Sequence, residues 1–200
     1  MNALPDAHLD LGCGKAPRNP YGRSRLAGVD RRALRGDDGI EIRAADLSLE
    51  PIPWPDASFG SVSAFDFIEH VPRLLPRADG QGTRSPFIEL MNEIWRVLAA
   101  GGRVWAVTPA YPAAEAFQDP THVNVITERT HEYFCGDNPL GRMYGFAGRF
   151  RCLRAEWVVA ADAERSGALD RAQRWRRWRR RLKGQLSHLL WEFEALPRQA

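Results

Sequence analysis

The chain has 200 residues, 44% of them hydrophobic and 26% charged, which is the composition of a soluble globular protein with enough sequence for one large core. That excludes a disordered, collagen-like or disulfide-scaffold chain. The formal charge of +3 hides a separation, because Arg171, Arg174, Arg176, Arg177, Arg179, Arg180, Arg181 and Lys183 put 8 positive and no negative charges between residues 171 and 183, leaving −5 for the rest. The sequence therefore reads as a mildly acidic domain with one intensely basic segment near its C-terminus.

The N-terminal stretch Met1 to His8 has neither a basic n-region nor an apolar h-region, and no segment approaches the ~18 apolar residues of a membrane span. A cytoplasmic chain is expected, unless it is held peripherally at the inner face of a membrane. Cys13, Cys135 and Cys152 form no C-x-x-C pair and read as reduced thiols.

From residue 1 to 160, short apolar runs alternate with helical patterns, which predicts a doubly wound α/β domain around a mostly parallel, Rossmann-like sheet with helices on both faces. The predicted strands are His8 to Leu11, Leu26 to Asp30, Ile40 to Ala45, Phe59 to Phe65 and Arg103 to Thr108. The clearest helix has Ser85 as N-cap and Pro86 at its first position, carries Phe87, Met91, Ile94 and Leu98 on one face, and stops at Gly101-Gly102. A late antiparallel strand ends at Trp157-Val158-Val159. Residues 161–200 are expected to form a linker and then a long amphipathic helix. In it Trp175, Trp178, Leu182, Leu186, Leu189, Phe193 and Leu196 recur at spacings of 3 and 4.

Leu9-Asp10-Leu11-Gly12-Cys13-Gly14 places a carboxylate on the first strand and two glycines just beyond it, where the backbone can turn sharply and approach a ligand. A Walker A loop is excluded, since Ala16 follows Gly14-Lys15 and Leu9 stands where the first glycine is required. A dinucleotide fingerprint is weakened by Pro17 at the position of the third glycine. Two carboxylates further along the chain favour S-adenosylmethionine. Asp30 ends the second strand 18 residues after Gly12, where it can accept ribose hydroxyls, and Asp46 ends the third, where it can receive the adenine amino group. An acidic lining suits a sulfonium and an ammonium. Taken singly, each residue also has a structural reading, the glycines as a tight turn and Asp30 as the cap of a helix starting near Arg31.

Over about residues 7 to 155 the chain resembles a class I S-adenosylmethionine-dependent methyltransferase of the type-11 kind. The matching pieces are His8-Leu-Asp-Leu-Gly-Cys-Gly14, Gly28-Val-Asp30, Ala45-Asp46-Leu47, Ile52-Pro-Trp-Pro-Asp-Ala-Ser-Phe59, Phe65-Asp-Phe-Ile-Glu-His-Val71 and Glu93-Ile-Trp-Arg-Val-Leu98 with Gly101-Gly102. The resemblance implies that Asp10, Gly12, Cys13 and Gly14 surround the methionine part of the cofactor, that Asp30 binds ribose, that Asp46 and Leu47 bind adenine, and that Phe65 and Asp66 line the methyl donor. Two departures stand out. Almost nothing precedes the first strand, where this family often has a helix covering the cofactor, and Lys15 to Arg25 leaves room only for a short first helix.

The acceptor pocket is expected beyond the fourth and fifth strands, near Glu69-His70 and the stretch from Pro109 to Asn124. The run Asp119-Pro-Thr-His122, followed by Thr127, Thr130, Tyr133 and Phe134, resembles a branch of these methyltransferases associated with polysaccharide and surface-glycan biosynthesis. That resemblance implies O-methylation of a sugar, surface-glycan intermediate or small metabolite. His122 is the expected general base, oriented by Asp119, with His70 close by. The bland alternative is that Asp119-Pro120 starts a turn that His122 closes through its backbone. No ligand spacing announces a metal; His70, Asp119 and His122 are the set from which one would be assembled. His8, His131 and His188 read as packing or surface residues.

For residues 171–196 three readings compete. The stripe packs on the domain or on a second subunit of a homo-oligomer while the arginines stay solvated; or the helix contacts a membrane surface; or it binds nucleic acid, ranked last because the acidic remainder continues no basic footprint. The alternatives to a small-acceptor enzyme are an RNA or protein methyltransferase recruited through that helix, and a non-catalytic cofactor-binding scaffold.

Overall fold

The computed structural model describes residues 3–36 and 40–198; the first two residues of the N-terminal stretch and the last two of the C-terminal segment lie outside the described residues. The strands are β1 (Ala7–Leu11), β2 (Arg25–Asp30), β3 (Glu41–Ala44), β4 (Phe59–Phe65), β5 (Leu75–Pro76), β6 (Thr83–Arg84), β7 (Leu98–Pro109), β8 (Phe150–Val158) and β9 (His188–Ala195). The helices are α1 (Pro86–Val97), the single turn α2 (Glu115–Gln118) and α3 (Arg171–Leu182). Seven strands form one sheet in the order β3-β2-β1-β4-β7-β9-β8, and β5 pairs with β6 as a separate small hairpin. The first five strands in that order run parallel, while β9 is antiparallel to both β7 and β8.

One face of the sheet is apolar. Leu9, Leu11, Val29, Val62, Ala64, Val104 and Ala106 alternate inward and meet Phe87, Leu90, Met91, Ile94 and Val97 of α1. Pro86 opens α1 as expected, although Ser85 makes no side-chain cap, and the helix ends at Val97 because Leu98 already takes extended backbone. Arg96 fastens its last turn, donating to Asp56, Glu93 and the carbonyls of Ile52 and Trp54. Edge-to-face and stacked rings run from Phe87 through Phe134, Phe146 and Phe150 to Phe193 and Trp191, closing this core at its far end.

Three expectations are corrected. The continuous helix to Leu196 is not formed: α3 stops at Leu182, Gly184 turns with φ +63°, and His188–Ala195 is a strand inserted between β7 and β8. The run alternates, with Leu189, Trp191, Phe193 and Ala195 on the α1 side and Leu190 on the other, so a buried strand satisfies the same apolar positions that a helical spacing also matched. A domain boundary at residue 160 therefore does not hold, since the second half of that C-terminal piece is an inner strand of the sheet. The short helix expected within Lys15 to Arg25 is also missing. Pro17, Pro20 and Gly22 (φ +62°) keep the segment in turns, and Tyr21 lies edge-on to Trp105 across the second face.

Candidate active site

Strand register brings the expected cofactor residues to one rim. Asp10 lies opposite Gly28 of β2 and Ser63 of β4, Asp30 lies opposite Ala44 of β3, and Phe65 lies opposite Val107 of β7. Asp46 follows two residues after that Ala44, and the Ala45 amide donates to the Asp30 carbonyl, so the tips of β2 and β3 are locked side by side. Leu47 is buried in the core beneath them.

The loop after β1 is shaped by what surrounds it. Gly12 has φ +65°, and a Cβ there would sit 2.5 Å from the Phe67 ring, so both conformation and space require glycine. Gly28 leaves room for the Cys13 thiol, which a Cβ would meet at 2.4 Å. The Gly12 and Cys13 amides donate to the Val29 carbonyl, and the Gly14 amide donates to Asp30 Oδ2 at 3.0 Å. Asp30 Oδ1 accepts from the Arg32 amide and guanidinium; burial raises the Asp30 pKa, but these hydrogen bonds outweigh it and hold the carboxyl below its usual range. No helix begins at Arg31 among the described residues, so Asp30 is not a helix cap.

Asp10 is fully buried. It accepts from Ser63 Oγ at 2.5 Å and from the Arg18 amide at 2.8 Å, and burial pushes its carboxyl up to about 6. His8 continues this buried polar row between Ser61 and Ser63, and burial holds its imidazole down at about 3, so it stays neutral. A cleft of about 360 Å³ opens over Asp10, Gly12, Cys13 and Phe65. The Arg18 guanidinium lies 4.5 Å above the Phe65 ring, and Lys15 and Arg18 also line this cleft.

A second group of residues sits beyond the ends of β4 and β7. Asp66 holds a left-handed backbone (φ +47°), uncommon for a residue with a side chain, and its amide donates to the Val107 carbonyl. Its carboxylate lies 3.2 Å from Nε2 of His188, whose Nδ1 is 2.8 Å from Ser187 Oγ. Glu69 accepts from Thr108 Oγ1 at 2.9 Å, and burial pushes its carboxyl up to about 7. His122 Nε2 faces the other Glu69 oxygen at 3.9 Å, and the His70 and His122 rings meet edge to face with centroids 4.8 Å apart.

The expected pairing of Asp119 with the His122 ring is not formed. Asp119 is drawn instead to the Thr121 amide and hydroxyl, while the His122 amide donates to the Asp119 carbonyl and closes a turn. Asp119 acts on His70 instead, through Thr121, whose hydroxyl lies 2.9 Å from His70 Nδ1. The sequence placed Glu69 beside the acceptor pocket without a role of its own, and His188 read as a packing or surface residue. Glu69 adjoins His70 in the quoted motif, whereas His188 carries no local signal, since only the insertion of β9 beside β7 brings it opposite Pro109.

Beside these residues a cavity of about 600 Å³ is lined by Tyr111, Pro112, Thr127, Trp157, Arg181 and Leu186 among others. Its walls come from the loops after β7 and before β9, from Trp157 of β8 and from Arg181 of α3.

No protein-family profile matches the chain, and no curated protein matches it. Solved structures do. A chain from the complex between the Haloferax volcanii Trm112 methyltransferase activator and its methyltransferase is 18% identical, with 98% of this chain and 84% of that one covered and a TM-score of 0.60. An S-adenosylmethionine-dependent methyltransferase from Archaeoglobus fulgidus is 13% identical over 94% and 85% of the two chains, with a TM-score of 0.56. The [4+2]-cyclase SpnF is 16% identical over 96% and 75%, with a TM-score of 0.53. The chain therefore has the fold of the class I S-adenosylmethionine-dependent methyltransferases. At these identities the likeness is one of fold, and the cyclase among the matches shows that this fold carries more than one chemistry.

Proposed function

We propose that the protein is an S-adenosylmethionine-dependent methyltransferase that acts on an oxygen of a sugar, surface-glycan intermediate or small metabolite. The observation that carries this reading is the rim on which Asp10, the Gly12–Gly14 loop, Asp30 and Asp46 stand on adjacent strand ends. When bound, S-adenosylmethionine supplies a methyl carbon on a sulfonium, so that a new O–CH3 bond forms as the C–S bonding pair returns to sulfur. Asp10 provides a buried carboxyl beside the cationic end, Asp30 accepts from ribose hydroxyls, and Asp46 with Leu47 receives adenine. Phe65 and Asp66 border the methyl.

His188 then takes the proton of the acceptor hydroxyl at Nδ1, the nitrogen that faces Ser187 Oγ, while Asp66 holds Nε2–H and balances the imidazolium charge. It has the direct carboxylate partner that His122 was expected to find in Asp119. His122 and His70 stand at the acceptor side, with Asp119 behind His70 through Thr121. The apolar cavity under Tyr111 and Trp157 takes the less polar part of the acceptor.

Helix α3 supports a peripheral contact with a membrane surface. Arg176 and Arg177 pair with Asp162 and Glu156 on the body of the domain, so Trp175, Trp178 and Leu182 turn outward and are 58%, 57% and 69% exposed. This is the reverse of the packing in which the apolar stripe lies on the domain. Tryptophans flanked by arginines suit an anionic lipid interface, and the cavity opens next to Arg181 at the helix end.

The reading is tested by incubating the protein with methyl-labelled S-adenosylmethionine and separate glycolipid, polysaccharide, RNA and protein fractions of a cell extract. Label in the glycan or glycolipid fraction, with S-adenosylhomocysteine formed, is expected. Label in RNA or protein alone contradicts the acceptor class, and no turnover with any fraction leaves the scaffold reading.

A further inference from the structure

We propose that Glu69, His70 and His122 bind a divalent first-row transition-metal ion at the acceptor side of the site. One carboxylate oxygen and one nitrogen from each imidazole lie within 4.8 Å of one another. Glu69 Oε1, the carboxylate oxygen that faces His122 Nε2, is buried and has no hydrogen-bond partner among the described residues. The Glu69 side chain is 1% exposed and that of His122 10%, so water does not freely satisfy them. A native fold rarely leaves a carboxylate oxygen orphaned at such depth, and an ion is the partner that would answer it.

The spacing fits an ion better than it fits a hydrogen bond. His122 Nε2 and Glu69 Oε1 are 3.9 Å apart, too far to bond each other. Two ligands each ~2.1 Å from a tetrahedral ion stand ~3.4 Å apart, so the Glu69–His122 pair closes around one by about half an ångström, and the widest spacing in the group, within 4.8 Å, by up to about 1.4 Å.

The surrounding bonds also set the ligands in a coordinating state. Thr108 Oγ1 donates to Glu69 Oε2 and fixes the carboxylate plane, while the Val123 and Asn124 amides hold the Glu69 carbonyl and tie it to the His122 loop. Thr121 gives its hydroxyl proton to Asp119 Oδ1, so its oxygen accepts from His70 Nδ1–H and leaves the imidazole lone pair on Nε2. A carboxylate–hydroxyl–imidazole chain of this kind orients metal-bound histidines and raises their basicity. Asp119, which sequence reasoning counted among the possible ligands, thus stands one shell behind the ion, and Glu69 takes its place.

Two imidazoles and one carboxylate select zinc, iron, cobalt, nickel or manganese over magnesium and calcium, which prefer oxygen throughout. Three protein ligands leave a position open for an oxygen of the acceptor. The inference rests on this geometry and does not need the methyl-transfer reading, since metal uptake and cofactor binding are measured separately.

The test uses the full chain stripped with a chelator. Calorimetric titration with Zn2+ is expected to show one equivalent bound, at least tenfold more weakly in Glu69→Gln and in His122→Ala, unchanged in His131→Ala, and not displaced by Mg2+. Circular dichroism reports whether each variant is folded. A second measurement needs no variant: in wild-type protein with 13C-labelled histidine, Co2+ should shift or broaden the resonances of His70 and His122 and leave those of His8 and His131 in place. No saturable uptake overturns the proposal. So does uptake that survives both site variants and vanishes when Cys135 and Cys152 are alkylated, or a Co2+ effect confined to other histidines.

Discussion

Asp10 carries its carboxyl on a strand covered on both faces, and burial raises its pKa from 3.8 to about 6, as it raises that of Glu69 from 4.5 to about 7. Both groups fold more readily protonated. Their contribution to stability is therefore complete below the unfolded values near pH 4 and is lost as the pH rises through about 6 and 7, at up to ~1.4 kcal/mol per unit for each group. His8, held down at about 3, acts in the opposite sense below pH 6.5, so the Asp10 contribution is read by difference: in chemical denaturation the stability of wild type relative to Asp10→Asn, where the amide can still meet Ser63 and the Arg18 amide, should fall as the pH rises from 4 to 6. A difference that does not change with pH would mean that Asp10 is not buried as described. Asp30 differs because its ionised form already has partners. Asp30→Ala should weaken S-adenosylhomocysteine by ~1.5–3 kcal/mol in calorimetry, the value of hydrogen bonds to a charged acceptor; an unchanged affinity would leave Asp30 as a brace for Gly14 and Arg32 alone. For His188, Ala should lower kcat by ~10²–10⁴ while leaving S-adenosylhomocysteine affinity in place, as expected for a proton acceptor that does not hold the cofactor. Loss of binding without loss of kcat would contradict that role.

Among the secondary-structure elements, the parallel half of the sheet was legible because its strands are bounded by glycine, proline and acidic turns. Phe59–Phe65 was expected and found with the same ends, and β1 and β2 differ from expectation by one residue. The cofactor rim followed from those strands, since a residue at a strand end is positioned by the strand. The C-terminal run was not legible. Apolar residues at spacings of 3 and 4 also contain an alternating set, and the choice between helix and strand was made by the empty place between β7 and β8, which is a property of the sheet and not of the run. His188 was missed for the same reason, and so was the shift of Asp119 from His122 to Thr121, a competition within one turn that sequence spacing cannot decide. The two halves of the run now make opposite predictions. Phe193→Ala should cost ~3–5 kcal/mol of stability, as for a ring removed from a packed core, whereas Trp175→Ala should cost less than ~0.5 kcal/mol. Similar losses for the two would restore the continuous helix.

Across the whole molecule, the charge separation seen in the sequence has a spatial counterpart. Asp30, Asp46 and Asp66 of the acidic part stand at or just past strand ends, and the basic segment forms one helix in which Arg176 and Arg177 are neutralised by Asp162 and Glu156 while its tryptophans face out. No described helix is long and apolar enough to cross a membrane, so contact through α3 would lie on a surface. Full-length protein should sediment with anionic but not neutral vesicles, should do so less as salt rises, and should lose most of that binding in the double variant Trp175→Ala, Trp178→Ala. Preferential, salt-sensitive binding to RNA would favour nucleic-acid recruitment instead.

Whether the rim of Asp10, Gly12, Asp30 and Asp46 holds S-adenosylmethionine is decided by thermal unfolding in the presence of its product. S-Adenosylhomocysteine at 100 times its dissociation constant should stabilise the fold by about 2.7 kcal/mol and raise Tm by roughly 5–11 °C, while NAD gives no shift. A shift with NAD and none with S-adenosylhomocysteine would overturn the assignment of that rim.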